Sequence, residues 1–389
     1  MIKYKNLTLI IFLILVAGWS LLFGAFKFYY WASLQGTIQP SLELIAGYLS
    51  LGTGFAFLFA GALSYMFQEK YIIFGAGLSI AILTSFFSFF GLNSLFMFSI
   101  LAVLVGVCYG VWSTVKNVLI STEIQKTGYS DTKVNSFVTI AFLIPLISGS
   151  IIGGYLFEKF GNIGAWYLGA FILIISFLAL LLNYNNSGGN LDTNLGFKKA
   201  IKQFLPSLIM ILKKHFKVMI YGGILLAIGT ILAQKAIEMG VFQFHKTYSQ
   251  AASLLGFTGI GTVFGSLLSV NMNTKRLFYF RLIGIVFAIT IILFPLLVTN
   301  FATAIGFTFF AGVVFGILLN LIDGFIFLMF GNDNVKEYGS GTYGLVISIT
   351  IALMMYISST SNNLLGFNSG FYILGFLMLA IALSVEFEG

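Results

Sequence analysis

Twelve long apolar runs separated by short polar breaks take up almost all of this 389-residue chain. A run of that kind, once moved out of water, has to satisfy its backbone N–H and C=O groups internally, which in a hydrocarbon layer favours the α-helix. Taking about 30 Å of hydrocarbon as the thickness to be crossed, the runs read as helices at about 7–31, 41–66, 71–90, 95–120, 133–157 and 162–184. A second set follows at about 217–240, 249–270, 276–298, 301–329, 338–360 and 367–385, by the same length criterion. With 59% hydrophobic and 8% charged residues, the composition excludes an ordinary soluble domain. The expected fold class is an all-α polytopic membrane protein with twelve transmembrane helices.

The net charge of +8 is a matter of topology. With the N-terminus inside, fifteen basic residues fall in cytoplasmic segments (Lys3, Lys5, Lys70, Lys126, Lys133, Lys198, Lys199, Lys202, Lys213, Lys214, Lys217, Lys275, Arg276, Arg281 and Lys336). Only two, Lys159 and Lys246, fall outside. This positive-inside bias orients both termini to the cytoplasm, and the expected location is a cell membrane of the bacterial inner-membrane type. No basic face remains for a nucleic acid. Met1–Asn6 runs straight into the first helix without a cleavage site and reads as an uncleaved span. Cys108 is the single cysteine, so neither a disulfide framework nor a thiolate metal site is available.

The chain divides once, after the sixth helix. Residues 1–184 form an N-terminal six-helix bundle, 185–216 a cytoplasmic linker and 217–389 a C-terminal six-helix bundle. Asn185–Asn194 is polar and rich in turn formers. From Gly196 to Leu212, Phe197, Ile201, Phe204, Leu205, Leu208 and Ile209 recur at helical spacing opposite Lys198, Lys199 and Lys202. That pattern is an amphipathic helix suited to the inner leaflet. Lys70 and Lys275 are separated by 275 − 70 = 205 positions, Lys27 and Lys235 by 235 − 27 = 208. Both separations fit a parallel repeat of six helices, an arrangement that places a substrate site near the midplane.

Four charges stand inside the apolar runs: Lys27, Lys116, Lys235 and Asp323, on the first, fourth, seventh and tenth helices. A charge at mid-membrane depth costs roughly 2.5–3.5 kcal/mol and marks a functional site by default. Within a helical turn of them lie Tyr30 and Trp31 (after Lys27), Trp112 (before Lys116), Glu238 (after Lys235) and Asn320 (before Asp323). The expected substrate-binding set is therefore Lys27, Tyr30, Trp112, Lys116, Lys235 and Asn320. Glu238 and Asp323 are candidates for proton coupling, since a carboxyl group kept from water holds its proton more readily. The competing reading is structural: Lys235 with Glu238 at i, i+3, and Asp323 with Lys116, as ion pairs. Glu43 and Glu123, nearer helix ends, rank lower for coupling. Trp31 ranks below Trp112 for the site, since it reads as an interfacial anchor.

Gly149 and Gly153 form a small-xxx-small face that lets two helices approach closely, and Gly154 extends it. Gly149-Ser150-Ile151-Ile152-Gly153-Gly154 also resembles the Gly-Pro-x-x-Gly-Gly signature of the major facilitator superfamily. It is followed by Tyr155 to Gly161 and Ala165-Trp166-Tyr167, similar to that family's entry into helix six. Ser150 replaces the signature proline, and Gly61 to Lys70 keeps the glycine and a terminal lysine of the loop-2/3 motif without its aspartate. Lys116, Asn135 and the Gly149–Gly154 block are similar to the bacterial lysophospholipid transporters, although Thr114 stands where that group has proline and Glu123 is one residue out of step.

The resemblance implies that helices one, four, seven and ten line a central cavity and that the two halves rock to give alternating access. Lys27 and Lys235 then look like the paired arginines on helices one and seven of the organophosphate exchangers. A lysine lacks the guanidinium fork, so phosphate specificity does not follow. The expected function is a secondary active transporter, symporter or antiporter, of a small organic anion or zwitterion, proton-coupled. It would act as a monomer whose partners are substrate, coupling proton or ion, and membrane lipid. A lysophospholipid transporter and a non-transporting receptor or scaffold on the same fold stay open. An enzyme is not expected, because His215 and His245 are the only histidines and neither His-Glu-x-x-His nor Gly-x-Ser-x-Gly occurs. Cofactors and resident metals are not expected.

Overall fold

The structure is a computed structural model that describes residues 2–35, 40–60, 63, 67–90, 94–127, 131–181, 197–269, 272, 276–331 and 336–384. Among them stand twelve helices of at least 15 residues. In chain order they are α1 (Ile2–Leu34), α2 (Leu42–Phe57), α3 (Glu69–Phe90), α4 (Leu95–Thr127), α5 (Asp131–Phe160) and α6 (Gly164–Leu178). The second six are α7 (Phe197–Phe242), α8 (Tyr248–Leu268), α9 (Arg276–Leu297), α10 (Phe301–Gly331), α11 (Lys336–Leu365) and α12 (Ser369–Ser384). Among the described residues nine apolar stretches are long enough to cross a membrane, one of them (Ile140–Leu181) covering α5 and α6 together; α2 and α12 are shorter apolar helices.

Local chemistry accounts for several helix starts. Ser41 precedes α2, and its Oγ accepts from the Leu44 amide at 3.2 Å. Thr247 and Gln250 form a reciprocal capping box at the head of α8. Each satisfies amides that a helix N-terminus leaves without partners.

The seventh helix departs from expectation. An amphipathic linker helix ending before a separate span at 217 was anticipated, yet α7 is one helix of 46 residues, with Pro206 inside it. At 1.5 Å per residue this is about 69 Å, far more than the hydrocarbon needs. No glycine or turn sequence near 215 stops the helix, so it continues. Asn185–Asn194 and the side chains of Lys198, Lys199 and Lys202 lie outside the described residues.

The chain forms two compact units. The first comprises Met1–Pro40, Tyr48–Lys214 and Glu337–Leu345, the second Ser41–Gly47, His215–Lys336 and Val346–Gly389. The first residues of α2 thus count with the second unit and the first residues of α11 with the first.

Within each unit the same glycine contacts recur. In the first, a Cβ on Gly106 would overlap the Leu49 carbonyl, one on Gly52 the Val103 carbonyl, and one on Gly110 would come within 2.7 Å of the Thr53 carbonyl. In the second, Gly312 meets the carbonyl of Thr258, Gly261 that of Phe309 and Gly316 that of Thr262 in the same way. The separations are constant: 312 − 106 and 316 − 110 are both 206, while 258 − 49 and 262 − 53 are both 209. The α2–α4 contact is therefore repeated as α8–α10. Gly77 against Ser176 (α3–α6) returns as Gly284 against Ala382 (α9–α12). In a lipid solvent, helices gain by close backbone approach, which only small residues permit.

Gly149 and Gly153 serve the same end. A Cβ at either would overlap a carbonyl of α1, Leu21 or Ala25 respectively, and Gly24 of α1 lies equally close to the Leu146 carbonyl. Gly154 is buried beside them. Replacing Gly316 by Leu should lower the thermal unfolding temperature of the purified protein, since overpacking costs about 1–3 kcal/mol and here the obstacle is backbone. Gly75→Ala, where a Cβ meets nothing within 4 Å, should leave that temperature unchanged or raise it.

Candidate functional site

The second unit contains a cluster of charges at one end. Lys235 lies on α7, about two turns before its end at Phe242. Its Nζ is 3.4 Å from Glu43 Oε1, and both side chains are fully withdrawn from solvent. The ammonium donates to Asn362 Oδ1 at 2.6 Å and to the Phe367 carbonyl at 3.1 Å. It also sits over the rings of Phe367 and Phe371, 4.6 and 5.2 Å from their centroids. Gly370 makes room for the lysine stem, since a Cβ there would overlap Lys235 Cε. A buried ammonium needs this many partners to offset its lost hydration.

Glu43, in the first turn of α2, is equally well held. Its Oε1 accepts from Ser358 Oγ at 3.2 Å and its Oε2 from Asn362 Nδ2 at 3.0 Å. The anticipated i, i+3 pair of Lys235 with Glu238 is replaced by this longer-range one. Glu238 turns instead to the head of α2, where Oε1 accepts the Leu42 amide at 2.6 Å. Both acids thus lie at a helix N-terminus, where the backbone dipoles favour negative charge. Ser41 Oγ bonds Ser359 Oγ at 2.8 Å, and Gly47 packs on Met355 of α11. The start of α2 is consequently tied to α7 and α11 along its first two turns.

The two lysines inside apolar runs of the first unit, Lys27 and Lys116, are held differently. Lys27 Nζ stands 5.6 Å from the Phe28 ring centroid, and Lys116 Nζ 5.1 Å from that of Phe142. Among the described residues, neither has a carboxylate partner. Between them runs an aromatic stack: Trp19 lies on Trp112 at 5.2 Å and 14°, and Phe23 on Tyr109 at 4.0 Å and 19°. As numbers rise on α1 they fall on α4, so the helices are antiparallel and the lysines lie beyond opposite ends of the stack. At 1.5 Å per residue their Cα atoms are separated by about 17 Å along the helix axes. Lys27 and Lys116, expected in one substrate-binding set, thus stand apart: their side of the first unit is an aromatic wall with a cation at each end.

The remaining sequence candidates disperse. Tyr30 is buried among Phe26, Tyr29 and Phe98, with ring centroids at 4.5, 5.1 and 6.0 Å. Trp31 is buried with its ring edge-on to Phe28, which corrects the interfacial-anchor reading. Trp112 belongs to the stack. Asn320 Nδ2 donates to Ser269 Oγ at 2.6 Å, a link between α10 and the end of α8. The side chains of Asp323, Glu123 and Asn135 lie outside the described residues.

Sequence reasoning undervalued Glu43 because it stands near a helix end, and it overlooked Asn362 and Gln234. Glu43 and Asn362 were visible as polar residues close to the ends of apolar runs that meet on one side of the membrane. Gln234 is 1% exposed, and among the described residues its amide has no hydrogen-bond partner at either atom.

The family model of the Major Facilitator Superfamily matches residues 8–340, and the chain belongs to that family. It is a multi-pass membrane transporter of the secondary type and not an enzyme. Among solved structures, the nucleoside transporter NupG shares the fold with a TM-score of 0.70 and 12% identity, over 97% of this chain and 98% of that one. The human organic anion transporter MFSD10 (TETRAN) does so with a TM-score of 0.67 and 10% identity, again over 97% and 98%. No curated protein sequence matches the chain.

Removing one member of the buried pair should be costly. Lys235→Ala leaves Glu43 without its cation and should destabilise the protein by about 3–5 kcal/mol. The double variant Lys235→Met with Glu43→Gln should recover much of this, as read by thermal unfolding in detergent.

Proposed function

We propose that this transporter moves a small organic anion or zwitterion by alternating access, with protons as the coupling ion. The observation that carries the proposal is the pair of lysines on α1 and α4, whose neighbours among the described residues are aromatic ring faces and not acids. A partly buried ammonium without an anion is poorly compensated, and a ring face replaces only part of its hydration. An anionic group of the substrate supplies the missing partner. In the family these helices line the pathway, which supports a substrate-contact role for Lys27 and Lys116. The description of MFSD10 as an organic anion transporter agrees in substrate charge.

The roughly 17 Å between the two lysine positions, spanned by stacked rings, favours sequential use over simultaneous contact with one small anion. Lys116 would meet the substrate near one end of the path and Lys27 near the other. Lys235 has protein partners of its own, so its place is in coupling, with Glu238, and no longer among the primary substrate contacts. Asp323 remains a second candidate for proton transfer.

The test is flux into proteoliposomes across a panel of organic anions, with and without an imposed pH gradient. Uptake of at least one anion should rise with the gradient. Lys116→Ala and Lys27→Ala should each reduce it by about 10- to 100-fold, the worth of a hydrogen bond to a charged group. No movement of any anion, or full activity in both variants, contradicts the reading. Transfer of labelled lysolipid between leaflets in the same vesicles would favour a lipid substrate instead.

A further inference from the structure

The cluster at the head of α2 has an odd charge count. Lys235 brings one positive charge, Glu43 and Glu238 two negative ones, and all three side chains are 4% exposed or less. The elements packed around them add no further titratable group among the described residues. From α11 come Asn362, Ser358 and Ser359, from the turn before α12 the ring and carbonyl of Phe367, and from α12 the ring of Phe371. Ionised throughout, the cluster would keep one uncompensated negative charge away from water, a costly arrangement. A single bound proton makes it neutral.

The hydrogen bonds indicate where that proton resides. Glu43 receives the Ser358 hydroxyl, the Asn362 amide and the Lys235 ammonium, the surroundings of an ionised carboxylate. Among the described residues Glu238 receives one backbone amide, that of Leu42. The two acids titrate as a coupled pair, and the microscopic arrangement with the proton on Glu238 best satisfies the donors present.

We infer that Glu43, Lys235 and Glu238 form a one-proton site that clamps the start of α2 onto α7 and α11, closed while the proton is bound and loosened when it leaves. The inference rests on the proton-coupled reading above and names its site. Loss of the proton places a second negative charge one residue from Glu43, since Glu238 is bonded to the Leu42 amide. The repulsion is relieved when Leu42 and Glu43 move off together. Proton binding at this cluster and movement of the α2 start are then one event.

Ser41 and Ser359, with Oγ atoms 2.8 Å apart, report the clamp directly. The experiment uses the full chain in proteoliposomes without substrate, carrying Ser41→Cys, Ser359→Cys and Cys108→Ser, and follows disulfide formation by an added oxidant from acid to alkaline pH. The same pair in a Glu238→Gln background corrects for the thiols' own ionisation. The ratio of cross-linking rates, otherwise wild-type over E238Q, should be level at low pH and fall by up to about tenfold per pH unit above a midpoint, the signature of one proton.

Glu43→Gln should also flatten the profile, because Lys235 and Glu238 then balance without a proton; this second variant decides the matter should E238Q fold poorly. Lys235→Met should move the midpoint to higher pH. A constant ratio, or restoration of cross-linking at high pH by sodium, overturns the inference. Since no transport is measured, a falling ratio with proton-independent flux would retain the clamp and remove the coupling reading. A constant ratio with proton-dependent flux would do the reverse.

Discussion

The ammonium of Lys235, 3.4 Å from the Glu43 carboxylate with both groups out of reach of water, sets the conditions for the end of the second unit. A lone charge there would cost several kcal/mol, so every neighbour is committed to offsetting it. Asn362 bonds both members of the pair, donating to Glu43 and accepting from Lys235. Gly370 gives up a side chain so that the lysine stem can pass. Even the backbone takes part, with the Phe367 carbonyl facing the ammonium and the Leu42 amide facing Glu238. The head of α2 belongs to the second unit because of these contacts, although the rest of the helix belongs to the first.

The lysines of the first unit show the opposite economy of charge. Lys27 and Lys116 are set against rings and have no acid among the described residues. The asymmetry stands on a scaffold that is otherwise repeated. The α2–α4 and α8–α10 contacts match glycine for glycine, as do α3–α6 and α9–α12 through Gly77 and Gly284. Backbone packing follows the internal duplication while the polar chemistry of the halves has diverged. Lys27 and Lys235, 208 positions apart, have different partners.

Much of this architecture was legible in the sequence. Apolar run length alone gives the twelve helices, because lipid leaves the backbone few other choices, and Gly149 and Gly153 announced close packing that the carbonyls of Leu21 and Ala25 supply. The continuity of α7 was less legible: the linker boundary expected at 216 falls inside one helix, Phe197–Phe242, and the lysines at 213, 214 and 217 do not end it. Residue type marks Lys235 as a charge in an apolar run, but not the partners it finds. Helical spacing relates Lys235 to Glu238 and Lys27 to Tyr30, whereas the partners that matter for Lys235, Glu43 and Asn362, are 192 and 127 residues away along the chain. Spacing within one helix carries no information about such contacts. Glu43 finds its partners at a helix end because helix ends are where loops bring several segments together.

What distinguishes this cluster from a static ion pair is the extra carboxyl. Infrared difference spectroscopy of the purified transporter, stepped from acid to alkaline pH, observes a protonated carboxyl group without any label. The expected result is the loss of one carboxylic-acid band with rising pH in the wild type, absent from Glu238→Gln and from Glu43→Gln. A spectrum unchanged by either substitution would show that the proton is elsewhere and that Glu43, Lys235 and Glu238 are held together for stability alone.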